Sequence, residues 1–275
     1  MINIDYFKVA KISGAVTRIY GLTGEIMYLI EGQNKAALID AGIGFGNLGQ
    51  FVGTLTQLPV DLVLTHAHTD HASGASYFER VYLNEADLAV LKNHNTLDKI
   101  EYLHIMLPDA NVPPEDIAPA KETGFLPLND GDIFDLGGIT LEIIKLPGHT
   151  LGSICVLIKE ERSIILGDAC NGFTFLFDPT CSPLSEYLND LRAFKQNEDR
   201  YDTVYFSHGS GDGSKEIVDE VIEVCQAAIA GQTDDIPFNF MGSMSGYIAK
   251  AMDMENFGQR ADGKTGNIVY NKNNL

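Results

Sequence analysis

Short apolar runs in the first part of the chain predict a series of β-strands. The runs at residues 15–20, 25–30 and 35–40 are separated by turn-forming residues at 21–24 and 31–34, as expected for neighbouring strands joined by tight turns. The third run is continuously apolar rather than alternating, which is typical of a strand covered on both faces. We therefore expect a buried sheet to begin in this region.

Later segments predict further strands with helices between them. The additional apolar runs are residues 60–64, 80–83, 139–146, 153–158, 163–166, 202–206 and 267–270. Apolar residues at helical spacing occur at residues 47–57, 85–92, 184–196 and 214–230. Asn84 and Ser214 are the expected N-caps of two of these helices, and Gly231 stands just past the end of the last one.

Strand clusters that alternate with helices predict a mixed α/β (α+β) fold, in which two sheets pack together with helices outside. No linker or charge block divides the sequence, so we expect one domain over residues 1–275. Residues 93–130 contain five prolines and no sustained pattern apart from a predicted helix near 97–106. Long segments of this kind commonly act as lids or bind substrate. Residues 232–275 are expected to pack on the core as a C-terminal extension.

The charge balance limits the classes of partner. Lysine and arginine number 19 against 38 aspartates and glutamates, so the net charge is −19. Such a surface repels nucleic-acid phosphates and anionic membranes, which leaves a small molecule as the expected partner; a homo-oligomer is compatible with the sequence. No run reaches the roughly 18 apolar residues of a membrane helix, and the N-terminus lacks the order of a signal peptide. The four irregularly spaced cysteines are predicted to be reduced thiols in a cytoplasmic protein.

The polar segment after the run at 60–64 contains the highest density of potential metal ligands in the chain. His66, His68, Asp70 and His71 fall within six consecutive positions of a chain that has only seven histidines. Where the strand ends, His66 and His68 project to the same side, and Asp70 and His71 at a helix start face a neighbouring point. This geometry suits two metal ions side by side. The alternative is a polar loop whose histidines merely cap a helix.

Three more candidate ligands each stand just after an apolar strand. They are His149, Asp168 and His208, and each has a glycine next to it. Strand ends hold loop residues rigidly enough for a binding site, and a neighbouring glycine lets the backbone turn tightly. Taken singly, each residue could be an ordinary loop residue; their joint occurrence favours a shared site.

In this order and spacing, the motifs resemble the metallo-β-lactamase-fold superfamily. The matching motifs are residues 66–71, 147–153, 167–168 and 207–209. The resemblance covers roughly residues 15–230 and implies a four-layer αββα sandwich with a dinuclear metal site at the edge of the sheets. The ligands it implies are His66, His68 and His149 for the first metal and Asp70, His71 and His208 for the second, with Asp168 bridging both.

The chemistry of these side chains agrees with a metal site. Five imidazoles and two carboxylates without a thiolate suit Zn²⁺ and also accept iron or manganese, so two Zn²⁺ ions are the expected cofactors. Two divalent ions lower the pKa of a bridging water, which makes hydroxide the expected nucleophile. Asp70 is the predicted catalytic residue, because it could hold or transfer the proton. Asp40 is a candidate hydrogen-bond acceptor for a ligand imidazole; equally, it could only begin a turn.

Within this superfamily, the chain looks most like the glyoxalase II-like hydrolases. Asn171 stands three residues after Asp168, where lactonase-type members carry a tyrosine. The resemblance implies a dinuclear metal-dependent hydrolase in which a bridging hydroxide attacks a small thioester, ester or lactone. The alternatives are a sulfur dioxygenase of the same fold with a single iron, a phosphodiesterase of the same fold and a non-catalytic metal-binding protein.

Substrate contacts are not specified by these motifs. The segment at 93–130 offers His94, Tyr102 and His104, for which a solvated helix face is the preferred interpretation over substrate contact. Three alternating phenylalanines follow Asp168 and could line an apolar pocket wall or belong to the core of a short strand; the core is preferred. They are Phe173, Phe175 and Phe177.

Overall fold

The computed structural model describes residues 5–91, 96–240, 244–253, 255 and 259–275. His94, a candidate substrate contact, lies outside these residues. The chain forms two compact units, Met1–Glu142 and Ile143–Leu275. A single domain over residues 1–275 stays a prediction. Within the described ranges, no helix has the length and apolar character needed to cross a bilayer.

The first unit is built on a seven-stranded sheet in the order β1 to β7. Its strands are β1 (Lys8–Lys11), β2 (Val16–Tyr20), β3 (Ile26–Glu31), β4 (Ala36–Ile39), β5 (Val60–Val63), β6 (Val81–Leu83) and β7 (Phe125–Pro127). The first four pair antiparallel through short turns, whereas β4 to β7 pair parallel. All four residues of β4 are buried, as expected for a strand covered on both faces.

The helices of this unit are α1 (Leu48–Leu55), α2 (Thr69–Ala72), α3 (Leu88–Leu91) and α4 (Thr96–Met106). The first begins where the Asn47 side chain accepts a hydrogen bond from the Gln50 backbone N–H, and it buries Leu48 and Val52 against the sheet. A separate small core under α4 contains Leu103 and Phe45. The predicted helix at 85–92 is instead a 3₁₀ turn followed by α3, with the Asn84 side chain capping the turn.

The second sheet has six strands in the order β14-β13-β11-β10-β9-β8. The strands are β8 (Ile133–Asp135), β9 (Thr140–Lys145), β10 (Ile154–Ile158), β11 (Ser163–Gly167), β13 (Thr203–Phe206) and β14 (Asp212–Gly213). Neighbouring β11 and β13 run parallel, so their carboxyl ends meet at one edge. In the second unit, α5 (Leu184–Phe194) and α6 (Ile217–Ile229) pack on the core that β11 and β13 share.

A third sheet was not expected from the sequence. Its order is β12-β17-β16-β15, formed by β12 (Thr174–Leu176), β15 (Ile236–Phe240), β16 (Met244–Ile248) and β17 (Ile268–Tyr270). The strand at 267–270 was predicted, and a short strand was the preferred interpretation of the phenylalanines at 173–177. β15 and β16 were not predicted, because nearly all of their described residues are exposed or half-buried and no continuous apolar run marks them.

Candidate metal centre

The motif at residues 66–71 lies at the carboxyl end of β5, a central parallel strand of the first sheet. Strand pairing stops there, and the chain enters α2 with His68 in the N-cap position. The backbone N–H groups of His71 and Ala72 both donate to the His68 carbonyl. This tight turn places the ring of His66 with its centroid 4.8 Å from that of His68 and 4.0 Å from that of His71. The candidate ligand atoms of each of these pairs lie within 4.8 Å of one another, as do those of Asp70 and His71.

Asp40 orients two of these imidazoles from the end of β4. Its carboxylate accepts a hydrogen bond from His71 Nδ1 at 2.8 Å and from the backbone N–H of Thr65 at 2.7 Å. The Thr65 hydroxyl also donates to Asp40, at 2.8 Å, and lies 3.0 Å from His66 Nδ1. Since the Thr65 hydroxyl donates its hydrogen to Asp40, it can only accept a hydrogen bond from His66. Asp40 therefore holds His71 directly and His66 through Thr65.

These hydrogen bonds assign the tautomers of both rings. A carboxylate and a hydroxyl that already donates can only accept, so His66 and His71 carry their protons on Nδ1. The Nε2 atoms then carry the lone pairs that can bind a metal. A hydrogen bond from Nδ1 commonly orients a metal-binding imidazole in this way. Asp40 adopts a left-handed backbone conformation, with φ of 64°. Strained backbones of this kind persist where the surroundings hold them, often at functional sites.

Two residues that support the motif were missed in the sequence. Asp87 is fully buried and accepts a hydrogen bond from the Ala67 backbone N–H at 2.8 Å, which fixes the turn between the first two histidines. The position of Asp87 shortly after β6, the strand next to β5, could have indicated in the sequence that it lies near the motif. Glu25 is also buried and accepts from Thr23 and from the Ile43 backbone N–H. Burial raises the pKa of Glu25, and the negative charge of Asp70 acts in the same direction.

The helix α4 contributes a contact to this cluster. The hydroxyl of Tyr102 donates to Asp70 Oδ2 at 3.2 Å. The sequence favoured a solvated face for Tyr102, but the side chain is half-buried and touches the candidate catalytic carboxylate. A hydroxyl that donates to a carboxylate favours the ionised form of the acid.

The three candidates of the second unit stand at the ends of β9, β11 and β13. Asp168 Oδ2 lies 3.8 Å from His149 Nε2 and 3.3 Å from His208 Nε2. The parallel pairing of β11 with β13 brings Asp168 and His208 to the same edge. Gly209 has φ of 68°, a left-handed conformation that glycine adopts without strain and that turns the chain directly after His208.

The segment after Asp168 holds two of these candidates in place. His149 Nδ1 donates to the backbone carbonyl of Phe175 at 2.8 Å, which leaves Nε2 as the ligand atom, as in His66 and His71. The side-chain amide of Asn171 donates to Asp168 Oδ1 at 3.3 Å, and its own oxygen accepts from the Phe173 backbone N–H at 2.8 Å. Asn171 therefore orients the predicted bridging carboxylate.

The structure thus presents two clusters of candidate ligands. The first unit brings together His66, His68, Asp70 and His71, and the second brings together His149, Asp168 and His208. Their assignment as metal ligands stays a prediction. All four cysteines are free and buried, and burial raises the pKa of the Cys170 and Cys181 thiols to about 12. Among the described residues, no cysteine belongs to the groups of candidate ligands.

Comparisons with known proteins identify what this arrangement is similar to. Residues 23–208 match the sequence profile described as the metallo-beta-lactamase superfamily. The acyl-coenzyme A thioesterase MBLAC2 of Gallus gallus is 26% identical over 191 residues, which are 63% of this chain and 68% of that protein. The lactamase-like protein nscB of Neosartorya fischeri is 30% identical over 191 residues, which are 66% of this chain and 49% of that protein.

The fold is similar to that of solved structures as well. A metallo-beta-lactamase from Pontibacter korlensis matches with a TM-score of 0.59 at 19% identity, covering 80% of this chain and 99% of that one. At this identity the likeness concerns the fold alone. The mixed sheets and helices described above match that sandwich, so the predicted fold class is confirmed.

Proposed function

This chain belongs to the metallo-beta-lactamase superfamily, and from that premise we propose that it is a metal-dependent hydrolase of acyl thioesters. The observation that carries the proposal is the set of imidazoles whose Nδ1 atoms are held by acceptors. His66, His71 and His149 are all fixed in this way. Such rings present Nε2 to a cation rather than to solvent.

The residues fit a pair of divalent metal ions. The first unit contributes His66, His68, Asp70 and His71, and the second contributes His149, Asp168 and His208. They combine neutral imidazoles with carboxylates and contain no thiolate, a donor set suited to Zn²⁺ and also to iron or manganese. We propose that these groups together hold two ions, with Zn²⁺ as the expected metal.

Divalent ions, when bound, supply a water of lowered pKa and polarise the carbonyl under attack. The remaining steps fall to the chain's own residues. Asp70 is placed to receive or transfer the proton, and the Tyr102 hydroxyl orients its carboxylate by a hydrogen bond. Asn171 holds Asp168 by its second oxygen, and Asp40 keeps two rings in the ligating tautomer. Side chains held rigidly in this way lower the activation barrier of the reaction, because the entropy of orienting them is lost on folding rather than in the transition state.

The thioester class is supported by the relatives rather than by the site geometry. One relative carries the name acyl-coenzyme A thioesterase. The net charge of −19 on this chain opposes a polyanionic thiol such as coenzyme A, and salt screens that repulsion. We therefore expect kcat/KM for acyl-coenzyme A to rise with ionic strength, and kcat/KM for the same acyl group on uncharged N-acetylcysteamine to stay nearly constant.

The test combines metal analysis with a substrate panel on the full chain. Protein loaded with Zn²⁺, iron or manganese is assayed on thioesters, carboxylic esters, lactones and phosphodiesters. We expect two metal ions per chain and the highest kcat/KM on thioesters. Asp168→Ala should lose one or both ions and at least 100-fold in rate. Asp202→Ala, which removes a surface carboxylate paired with Arg162, is the matched control and should keep both.

Two results would count against the proposal. One iron per chain, with oxygen consumption on a persulfide, would replace hydrolysis by the dioxygenase alternative. If the protein hydrolysed phosphodiesters but not thioesters, the metal-dependent mechanism would stand and the proposed substrate class would be wrong.

A further inference from the structure

Five phenylalanines form one continuous aromatic cluster in the second unit. Phe173, Phe175 and Phe177 come from the segment around β12, and Phe238 and Phe240 come from β15. Their ring centroids are separated by 5.1 to 6.5 Å, the spacing of favourable aromatic pairs. The sequence favoured a core position for the first three. Only Phe177 is buried, and the other four rings are half-buried.

The third sheet creates this cluster by its curvature. Its order β12-β17-β16-β15 places β12 and β15 at opposite edges, yet Phe175 and Phe238 lie 5.6 Å apart. The sheet must therefore curl until its edges approach. Gly246 in β16 provides the room, because a Cβ at this position would lie 2.9 Å from the Cβ of Phe177. The result is a concave aromatic surface with Phe177 at its base.

One face of the third sheet packs into the core of the second unit, and the opposite face carries the aromatic cluster. Ile268 and Tyr270 of β17 belong to the core that also contains residues of α5 and α6. Val269 between them points to the opposite face by strand alternation, is fully buried and pairs with Phe175. The aromatic cluster is thus the outer layer of that face, and its partly exposed rings offer apolar area to a ligand.

Backbone hydrogen bonds connect the segment that carries the cluster to two candidate metal ligands, one directly and one through Asn171. The Phe175 carbonyl accepts from His149 Nδ1 at 2.8 Å. The Phe173 backbone N–H binds the Asn171 side chain, which in turn holds Asp168. The backbone of the aromatic segment therefore lies one hydrogen bond from His149 and, through Asn171, two hydrogen bonds from Asp168.

We propose that the aromatic cluster binds the acyl chain of the substrate, so that the enzyme acts on thioesters of linear apolar acids rather than on acetyl thioesters. This rests on the proposed function, which places the thioester carbonyl beside His149 and Asp168. A saturated chain is the occupant that fits, because the four half-buried rings offer apolar contact and carry no polar side-chain group to recognise a sugar, a phosphate or a charged acid.

Chain-length dependence provides the main test. N-Acetylcysteamine thioesters of acetyl, butyryl, hexanoyl and octanoyl groups share one leaving thiol, so differences report the acyl chain. Burying one methylene increases kcat/KM about fourfold, and we expect this rise until the surface is filled. Phe238→Ala and Phe240→Ala should each lower the ratio of kcat/KM for the octanoyl thioester to kcat/KM for the acetyl thioester about tenfold or more.

Matched variants separate apolar contact from folding. Phe134→Ala removes a half-buried ring that pairs with Tyr82 in the first unit, and it should leave the chain-length profile unchanged. Phe238→Leu keeps an apolar side chain and should retain most of the octanoyl preference, which guards against an alanine variant that does not fold.

A binding measurement distinguishes failure of this inference from failure of the proposed function. The probe is S-octyl-N-acetylcysteamine, a thioether with no carbonyl to hydrolyse, titrated by calorimetry. Thioester hydrolysis with a flat chain-length profile and no effect of Phe238→Ala overturns the acyl site and leaves the function standing. No hydrolysis, with thioether binding that Phe238→Ala weakens about tenfold, removes the function and keeps the apolar site. Absence of both overturns both.

Discussion

Asp40 shows how one carboxylate can prepare two imidazoles. It receives the His71 ring directly and the His66 ring through the Thr65 hydroxyl. One oxygen serves the Thr65 backbone while the other serves His71, so both oxygens must be acceptors. The left-handed backbone at this residue aims the carboxylate back at the motif, 25 and 31 residues further along the chain.

Asp40→Asn should weaken metal binding about 10- to 100-fold, the usual cost of losing such an outer partner. Asparagine tolerates the left-handed backbone but offers only one accepting oxygen, so it cannot serve Thr65 and His71 together. Competition against a chelator of known affinity measures the change. Asp61→Asn, at a buried carboxylate that pairs with Arg80, is the control. Equal metal affinity in Asp40→Asn and wild type would remove Asp40 from this role.

Lys99 is a second residue whose environment has a measurable consequence. Its side chain is 2% exposed and donates to the Ala118 carbonyl at 3.0 Å. Burial lowers its pKa from 10.5 to about 8. Below pH 8 the Lys99 amine is charged in the folded protein, and burial of that charge lowers the free energy of unfolding. Between pH 8 and 10.5 the unfolded state binds more protons, so this group adds stability as the pH rises.

Lys99→Met should therefore stabilise the metal-free protein at pH 7 by about 1 to 2 kcal/mol. The gain is the relieved burial, roughly 3 kcal/mol at 1.36 kcal/mol per pKa unit, less the lost hydrogen bond of about 1 kcal/mol. Urea unfolding at pH 7 and pH 9.5 should show the advantage shrinking at the higher pH. Lys8→Met, at an exposed lysine, should show no such trend. An advantage independent of pH would contradict the assignment.

At the scale of elements, α4 connects the irregular segment at 93–130 to the first cluster. Leu103 packs with Phe45 and Val112 in a small core of its own, while Tyr102, the next residue on the helix, reaches Asp70. The helix is therefore positioned by local apolar contacts and presents one hydroxyl to the site. A second tyrosine–carboxylate hydrogen bond in this unit joins the Tyr6 hydroxyl to Asp116 at 2.6 Å, and neither residue is a candidate ligand.

Tyr102→Phe should lower kcat/KM about tenfold, since a hydrogen bond to a charged group contributes roughly 1.5 to 3 kcal/mol. The loss should appear in kcat with KM nearly unchanged, because the hydroxyl orients Asp70 rather than the substrate. Tyr6→Phe removes another tyrosine–carboxylate hydrogen bond and should alter stability without altering kcat. A kcat of Tyr102→Phe identical to wild type would mean that the hydroxyl does not act on Asp70.

For the molecule as a whole, stability and metal content should be linked. A ligand present at about 100 times its Kd stabilises the folded state by about 2.7 kcal/mol. For a chain of this size, each kcal/mol corresponds to roughly 2 to 4 °C in Tm.

Removal of metal by a chelator should lower Tm by about 5 °C or more and abolish hydrolysis. Zn²⁺ should restore both, whereas Mg²⁺, which prefers oxygen ligands, should restore neither. The chelator must be dialysed away before readdition, and Tm is followed by circular dichroism. A Tm that does not respond to chelation, in protein shown to have lost its metal, would separate metal binding from folding.

Local patterns in the sequence were sufficient for much of the fold. Apolar runs located β2 to β5, and helical spacing of apolar residues located α1, α5 and α6, because the burial of an element leaves such a pattern in the chain itself. Those patterns failed for β1, β7, β8, β14, β15 and β16. Each spans only two to five residues, and nearly all of their described residues are exposed or half-buried, so no continuous apolar run marks them.

The sequence by itself determined the donor chemistry: the histidine and aspartate motifs and their positions after apolar strands. Only the tertiary structure decided which partners hold them. The hydrogen bonds of Tyr102 with Asp70, of His149 with Phe175 and of Asp40 with His71 join residues 32, 26 and 31 positions apart. The aromatic cluster likewise joins two opposite edges of a curled sheet. Such contacts depend on loop paths and side-chain direction, which no local repeat of apolar residues encodes.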